Sequence, residues 1–294
     1  MKSIYDQINE NKIRSATIIS LFIAFIFGVS YFITIAFNLN NSLLFVAIAF
    51  SLISSLVGYF KGDQIVLALN KARPVRREEF FNFYTIVENL SIANQTPAPK
   101  IYVIDSESPN AFASGRDPKH AIICATTGLL KKLNRTELEG VIAHELSHIK
   151  NYDIRLMTLV SILVGTLTIL INTATRSTFF RRDNNNDHKN NGILTLIGFI
   201  LIIFSPLIAQ IIQLAISRRR EYFADASAIK LTRQPQGLID ALTKISQDDS
   251  VFETASTATA SLYISNPFKG NKLTNMFSTH PPIEDRIKVL QEMI

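Results

Sequence analysis

His144-Glu145-Leu146-Ser147-His148 is the run around which the rest of the chain can be read. It lies in a helical pattern, directly ahead of a long apolar segment. Residues four apart in an α-helix share a face, so both imidazoles can address one ion. Zinc accepts neutral imidazole nitrogens in a tetrahedral site, and a hydrolytic zinc keeps one position open for water. Glu145, beside the first histidine, is placed to take the proton of the attacking water. The competing reading is two exposed histidines on a surface helix. With only five histidines in 294 residues, that reading has to explain a coincidence.

Composition points to a membrane. Only 18% of residues are charged, and the mean hydropathy is +0.20. Residues 15–60 carry no charge at all, which is too long for one span and fits two helices broken near Asn38-Leu39-Asn40-Asn41. Two further uncharged runs cover residues 156–175 and 190–217. Each is long enough for a membrane helix, although a buried soluble hairpin satisfies the same pattern for the last two. The expectation is therefore a mainly α membrane protein with four transmembrane helices. The first apolar segment exceeds a signal-peptide core and reads as a retained anchor. Cys124 is the single cysteine, so no intrachain disulfide can form. The net charge of +6 comes mostly from Lys and Arg flanking the spans, with no basic stripe of the kind that binds nucleic acid.

Two arguments set the topology. Lys2, Lys12 and Arg14 precede the first span, Lys61, Lys71, Arg73, Arg76 and Arg77 follow the second, and Arg218, Arg219 and Arg220 follow the fourth. The positive-inside rule then places both ends and the segment between spans two and three on the cytoplasmic side. Arg176, Arg181, Arg182 and Lys189 in the opposite loop run against this. The second argument is chemical. Two histidines need a third protein ligand, and Glu221 stands just after the fourth span in Arg220-Glu221-Tyr222-Phe223-Ala224-Asp225. If Glu221 closes the site, an even number of spans must separate it from His148, and the sequence offers two.

Between the spans, residues 75–93 have helical spacing, while 101–105 and 121–125 are β-branched and read as strands flanking 108–115. Asn134 with Glu137 three residues on predicts a capped helix start that runs through the histidines. Residues 176–192 read as a mobile Asn-rich loop, with His188 as a solvated residue. Helices are expected over 221–231 and 237–245 and from about 283, with a loop-dominated excursion over 248–275. The organisation is a two-helix anchor (1–61), the first part of a soluble domain (62–155), a hairpin (156–217) and the second part of that domain (218–294).

The order Pro109-Asn110-Ala111-Phe112-Ala113-Ser114-Gly115, then His144-Glu145-x-x-His148-x-x-Asn151-x-Asp153, then Glu221-Tyr222-x-Ala224-Asp225, then Thr279-His280-Pro281-Pro282-x-x-x-Arg286 resembles the HtpX family of membrane zinc metallopeptidases. These are similar in their catalytic core to CAAX-processing endopeptidases. Ser114 stands where many members carry Thr, and the Asn-rich loop looks peculiar to this chain. The resemblance implies a cytoplasmic, gluzincin-like zinc-protease domain with a small β-sheet and one Zn2+ per chain. It implies an endopeptidase of the bacterial inner membrane whose active site faces the cytoplasm. Its partners would be unfolded or damaged membrane proteins and the bilayer itself, with a role in stress response.

On that footing His144, His148 and Glu221 are expected as metal ligands and Glu145 as the general base. Asp225, four residues after Glu221, shares its helix face and can accept the free N–H of His144. Asn110 and Ala111 resemble the edge strand on which such proteases bind substrate as an added strand. His280 and Arg286 either stabilise the negatively charged intermediate or anchor the C-terminal helix. Two other functions compete: a non-catalytic membrane scaffold that uses zinc for folding, and processing at a prenylated C-terminus. The intact Glu145 weighs against the first, and the small number of spans against the second.

Overall fold

The computed structural model describes residues 4–36, 40–180, 218–250, 252, 258–267 and 281–293. It is mostly helical, with one small mixed sheet. The uncharged run of residues 15–60 forms most of two long helices, α1 (Ile4–Ala36) and α2 (Ser42–Leu69). Among the described residues, the stretches Asn9–Tyr31 and Leu44–Leu69 have the length and apolarity to cross a membrane. At 1.5 Å per residue the 23-residue stretch spans about 34 Å, enough for a hydrocarbon core of about 30 Å. Leu21, Phe27, Phe45, Phe50, Ile53 and Phe60 point outward from these helices, with Phe45 72% exposed. An apolar surface of that extent is costly in water and costs nothing in lipid.

The expected third span is helical, as α6 (Asp153–Phe180). Its first half is a packed helix: Leu156, Leu159, Val160, Leu163 and Leu167 close against Ile18, Phe22 and Ile26 of α1 and Ala47 of α2. Gly58 and Gly62 let α2 approach α6 closely, since a Cβ at Gly62 would lie 2.7 Å from Thr158 Cγ2. The fourth expected span (190–217), the Asn-rich loop from residue 181 onward, and His188 lie outside the described residues.

The expected boundary at residue 61 falls inside α2. Lys61 is exposed, yet the helix runs on for eight more residues. Charge marks where a helix leaves the apolar layer and does not by itself break the backbone ladder. Below that point Val66 and Leu67 join Ile104, Phe112, Ile122 and Cys124 of the sheet in one buried cluster. Of the two long apolar helices, α2 is thus seated directly on the sheet.

The sheet holds β1 (Arg73–Pro74), β2 (Lys100–Ile104), β3 (Ala111–Gly115) and β4 (Ala121–Thr126) in the order β1-β2-β4-β3. β2 and β4 are parallel, and β3 runs antiparallel to β4 with Phe112 opposite Cys124. Residues 111–115, read from sequence as lying between two strands, are therefore the edge strand itself. The helix expected from residue 75 begins later, as α3 (Phe81–Ala93). The Val75 amide donates to the Ile101 carbonyl at 3.2 Å, so the chain is still paired with the sheet there.

A short helix, α4 (Thr127–Lys132), leads into α5 (Arg135–Lys150), which starts at the expected capping box. Glu137 N–H donates to Asn134 Oδ1 and Asn134 N–H to Glu137 Oε2, both at 2.9 Å. The apolar side of α5 (Leu138, Val141, Ile142, Leu146, Ile149) packs on Phe83, Ile86 and Val87 of α3 and on the sheet. Each such buried side chain contributes roughly 1.5–3 kcal/mol. After Lys150 the chain breaks sharply: Tyr152 has φ +60°, a left-handed conformation unusual for a residue with a Cβ, and α6 starts at the next residue. α7 (Arg218–Thr232), α8 (Pro235–Gln247) and α9 (Ile283–Gln291) complete the described elements. α8 crosses α5 at Gly140, where an added Cβ would come 2.8 Å from Leu238 N.

Candidate metal centre

The four-residue spacing on α5 brings His144 and His148 together with their Nε2 atoms 3.1 Å apart. α7 packs beside α5 and delivers Glu221, whose Oε2 lies 3.5 Å from His144 Nε2 and whose Oε1 lies 3.7 Å from His148 Nε2. One ligand atom from each of the three falls within 4.8 Å of the others, and all three residues are buried. Residues 73 and 77 positions apart in sequence thus meet at one point.

The other imidazole nitrogens decide what that point can hold. His144 Nδ1 lies 2.8 Å from Asp225 Oδ1, and His148 Nδ1 lies 3.1 Å from Asp153 Oδ2. Carboxylates only accept, so each Nδ1 carries the proton and donates. Arg286 Nη2 is also 3.3 Å from His144 Nδ1, but guanidinium only donates, and the closer charged acceptor takes the proton's direction. The Nε2 atoms then face each other across 3.1 Å, each a lone pair whenever its ring is neutral. Two lone pairs at that distance repel, and a cation between them turns the repulsion into coordination. Two nitrogens bound tetrahedrally at about 2.0–2.1 Å would sit about 3.4 Å apart, so the donor set fits a divalent transition metal.

Electrostatics favours positive charge there as well. Burial and Arg286 oppose protonation of His144, but its hydrogen bonds to Asp225 and Glu221 outweigh them and hold its pKa at about 9. His148 is raised too: burial opposes the charge, while Glu221 and Asp153 favour it. Four carboxylates ring the site, those of Glu145, Asp153, Glu221 and Asp225.

The profile of peptidase family M48 matches residues 80–294, a stretch that contains every one of these groups. The chain belongs to peptidase family M48. A protease HtpX homolog of Dictyoglomus thermophilum is 45% identical over 98% of this chain and 94% of its own length. Homologs of the same description from Caldanaerobacter subterraneus subsp. tengcongensis and Ligilactobacillus salivarius are 45% and 39% identical, each over 99% of this chain. The crystal structure of S. mikatae Ste24p aligns with a TM-score of 0.49 and 24% identity, over 96% of this chain and 65% of that one. This M48 chain is a membrane metallopeptidase acting on protein substrates, with a metal cofactor.

In the M48 site, Glu145 sits beside His144 on α5 and is buried. Burial raises its carboxyl above the ordinary range, against the pull of the two histidines. A carboxylate made more basic in this way is a better proton acceptor. Arg286 is entirely buried and grips Asp225 with two prongs, Nε to Oδ2 at 2.9 Å and Nη2 to Oδ1 at 2.6 Å. Burial opposes the Asp225 charge, but the Arg286 charge and the bonds to His144 and Arg286 prevail and bring its pKa down to about 2. Arg286 therefore faces a carboxylate and the Nδ1 side of His144.

Asn110 directly precedes and Ala111 begins the edge strand β3, which packs against both α5 and α6. Their polar groups are engaged by the chain itself. Asn110 Nδ2 donates to the Ser265 carbonyl at 2.8 Å, the Ser265 amide donates to Asn110 Oδ1, and the Ile264 amide donates to the Ala111 carbonyl at 3.0 Å. His280 lies outside the described residues.

Local sequence patterns gave no role in the site to Asp153, Arg220 or Asn11, yet Asp153 holds His148, and Arg220 and Asn11 hold Asp153. Asp153 was quoted as part of a motif, but a residue five positions on from His148 does not share its face of a continuous helix. Only the break at Tyr152 turns it back. Asn11, 142 residues from Asp153, left no signal beyond being a polar residue near the start of an apolar helix.

Proposed function

We propose that this M48 peptidase is a zinc endopeptidase with ligands His144, His148 and Glu221. It would cut misfolded or damaged membrane proteins at the cytoplasmic face of the bacterial inner membrane. The observation that carries the ligand set is the pair of opposed Nε2 atoms with a buried carboxylate beside them. Two imidazoles and a carboxylate are the protein donors of a hydrolytic zinc, which retains an open position.

When bound, zinc supplies Lewis-acid chemistry, acidifying water and polarising the peptide carbonyl. Glu145 takes the proton of the attacking water and passes it to the leaving amine. Asp225 and Asp153 hold His144 and His148 in the tautomer that presents Nε2. Asn110 and Ala111 are proposed to bind substrate backbone along β3, which requires residues 264–265 to yield that edge. Arg286 acts as an anchor for Asp225 and α9.

Sidedness rests on charge and on contact. Asn11 of α1 touches Asp153, and Val66 of α2 touches the sheet, so both ends of the first hairpin are on the catalytic side. Lys12, Arg14, Lys61 and Lys71 lie at those ends, which supports a cytoplasmic active site under the positive-inside rule. A fourth span over 190–217 would return the chain from α6 to Glu221 on that side.

Casein cleavage by the detergent-purified protein tests the assignment. Activity is expected to vanish with a zinc chelator, return with Zn2+, and be absent from Glu145→Ala. Activity that survives chelation, or persists in Glu145→Ala, would overturn it. Labelling of single cysteines placed in residues 176–192, in intact cells and after permeabilisation, tests the topology.

A further inference from the structure

The amino-terminal membrane helix reaches the metal centre through one side chain. Asn11 of α1 is only 3% exposed, and every polar atom of its amide is used. Nδ2 donates to Asp153 Oδ1 at 2.7 Å and to the Asn151 carbonyl at 3.0 Å. Oδ1 accepts from Arg220 Nη1 at 3.2 Å, and the same Nη1 lies 3.3 Å from Asp153 Oδ1. The orientation of the amide is unambiguous, because its nitrogen faces two groups that only accept and its oxygen faces one that only donates. Lys12, the next residue, lies over the Tyr152 ring at 5.3 Å, at the break between α5 and α6.

Each partner of Asn11 is one step from a ligand. Asp153 Oδ2 takes the Nδ1–H of His148, while its Oδ1 takes Asn11 and Arg220. Arg220 precedes Glu221 on α7. Asn151 is the residue that ends α5, the helix carrying both histidines. A single amide from another part of the chain thus fixes the rotation of the Asp153 carboxylate and ties together the two segments that present the ligands.

We infer that Asn11 is a positioning residue for the metal centre, acting through Asp153 on His148, and that α1 is a working part of the active site in addition to a membrane anchor. The inference rests on the ligand reading proposed above. A hydrophobic anchor needs no polar residue at this position, and burying an amide without partners is costly. Here the amide has three partners, and all of them belong to the frame of the site.

The test measures Zn2+ affinity of the full-length protein in detergent by chelator competition, together with the visible absorption of the Co2+ form. Four samples are compared: wild type, Asn11→Ala, Ile18→Ala and His148→Ala. Ile18 is a buried residue of α1 that packs only in the helix bundle, so its truncation loosens α1 without touching the site. Asn11→Ala is expected to weaken Zn2+ binding about tenfold and to alter the Co2+ spectrum. Ile18→Ala is expected to lower the melting temperature and leave both metal readouts as in wild type. Wild-type affinity and spectrum in Asn11→Ala would overturn the inference, as would equal losses of affinity in Asn11→Ala and Ile18→Ala. If Asn11→Ala does not fold, Asn11→Ser is read in the same way. Stoichiometric Zn2+ binding retained by His148→Ala would instead overturn the ligand reading, so the two failures are distinguishable.

Discussion

Asp225 and Arg286 form a fully buried, two-pronged ion pair, and the carboxylate oxygen that accepts Arg286 Nη2 at 2.6 Å also accepts the Nδ1–H of His144 at 2.8 Å. One oxygen therefore couples the C-terminal helix to a metal-facing imidazole. It also explains why a lone arginine can be buried so deeply, because its charge is matched within hydrogen-bond distance.

Replacing Asp225 by Asn leaves the Arg286 charge buried without its counter-charge. Removing one partner of a buried pair costs about 3–5 kcal/mol. The melting temperature of Asp225→Asn is expected to fall accordingly, and its zinc affinity to fall by about 10–100-fold as His144 loses its orienting acceptor. Differential scanning fluorimetry and chelator competition report the two effects separately.

The pH dependence of that stability gap has a definite sign. The Asp225 carboxyl titrates at about 2, below its ordinary 3.8. A lowered acid contributes stability that is complete above its unfolded value and lost as pH falls through the folded value. The gap between wild type and Asp225→Asn should widen as pH falls from 8 to about 6.5, because Asp225 also holds up the raised pKa of His144, then stay constant to pH 5 and close only below about pH 4. A gap that shrinks between pH 7 and pH 5 would contradict the pairing.

Arg286→Lys separates an anchor from a participant in the reaction. A lysine reaches one carboxylate oxygen and forfeits the second prong, a loss of about 1.5–3 kcal/mol for a charged hydrogen bond. The expected result is a lowered melting temperature with the catalytic rate per bound zinc close to wild type. An unchanged melting temperature with a collapsed rate would assign Arg286 to the reaction instead.

Glu145→Gln keeps the shape of the side chain and removes the base. Proteolysis should fall by a factor of about 100 or more, with zinc content as in wild type. The same substitution should also prevent self-cleavage, so wild-type protein accumulates fragments on zinc addition and the variant stays intact on a gel.

Gly140 tests the crossing of α5 and α8. It lies one turn before His144, and a methyl group there meets Leu238 N at 2.8 Å and Leu238 Cα at 2.9 Å. Backbone atoms cannot swing aside, so Gly140→Ala should destabilise the protein by about 1–3 kcal/mol despite alanine's higher helix propensity. A melting temperature equal to or above wild type would show that the two helices are free to separate.

How far the sequence could be read follows from how local each signal is. The capping box at Asn134 and Glu137, the shared face of His144 and His148, and the uncharged run of residues 15–60 are all set by neighbours within a few positions. For that reason they were legible. Glu221 and Asp225 were reachable because their four-residue spacing is helical and they stand just after a long uncharged run. Residues 111–115 were harder, since an edge strand packed on both faces does not alternate polar and apolar residues. The helix start at Phe81 was missed because Val75 pairs with the sheet, a contact no local pattern announces.

The sequence alone determined that a helix would present two imidazoles and a carboxylate beside an apolar segment, because helical periodicity is a local property of the backbone. Tertiary structure decided which nitrogen of each ring is held by a carboxylate and which faces the centre of the site. That depends on Asp225 and Asp153, and Asp153 faces His148 only because the backbone at Tyr152 turns left-handed. It also decided that Arg286 lies behind the site and that Asn11 of the first membrane helix completes its frame. Hydrogen bonds between residues 61 and 142 positions apart are set by how helices pack, and packing is a property of the whole chain.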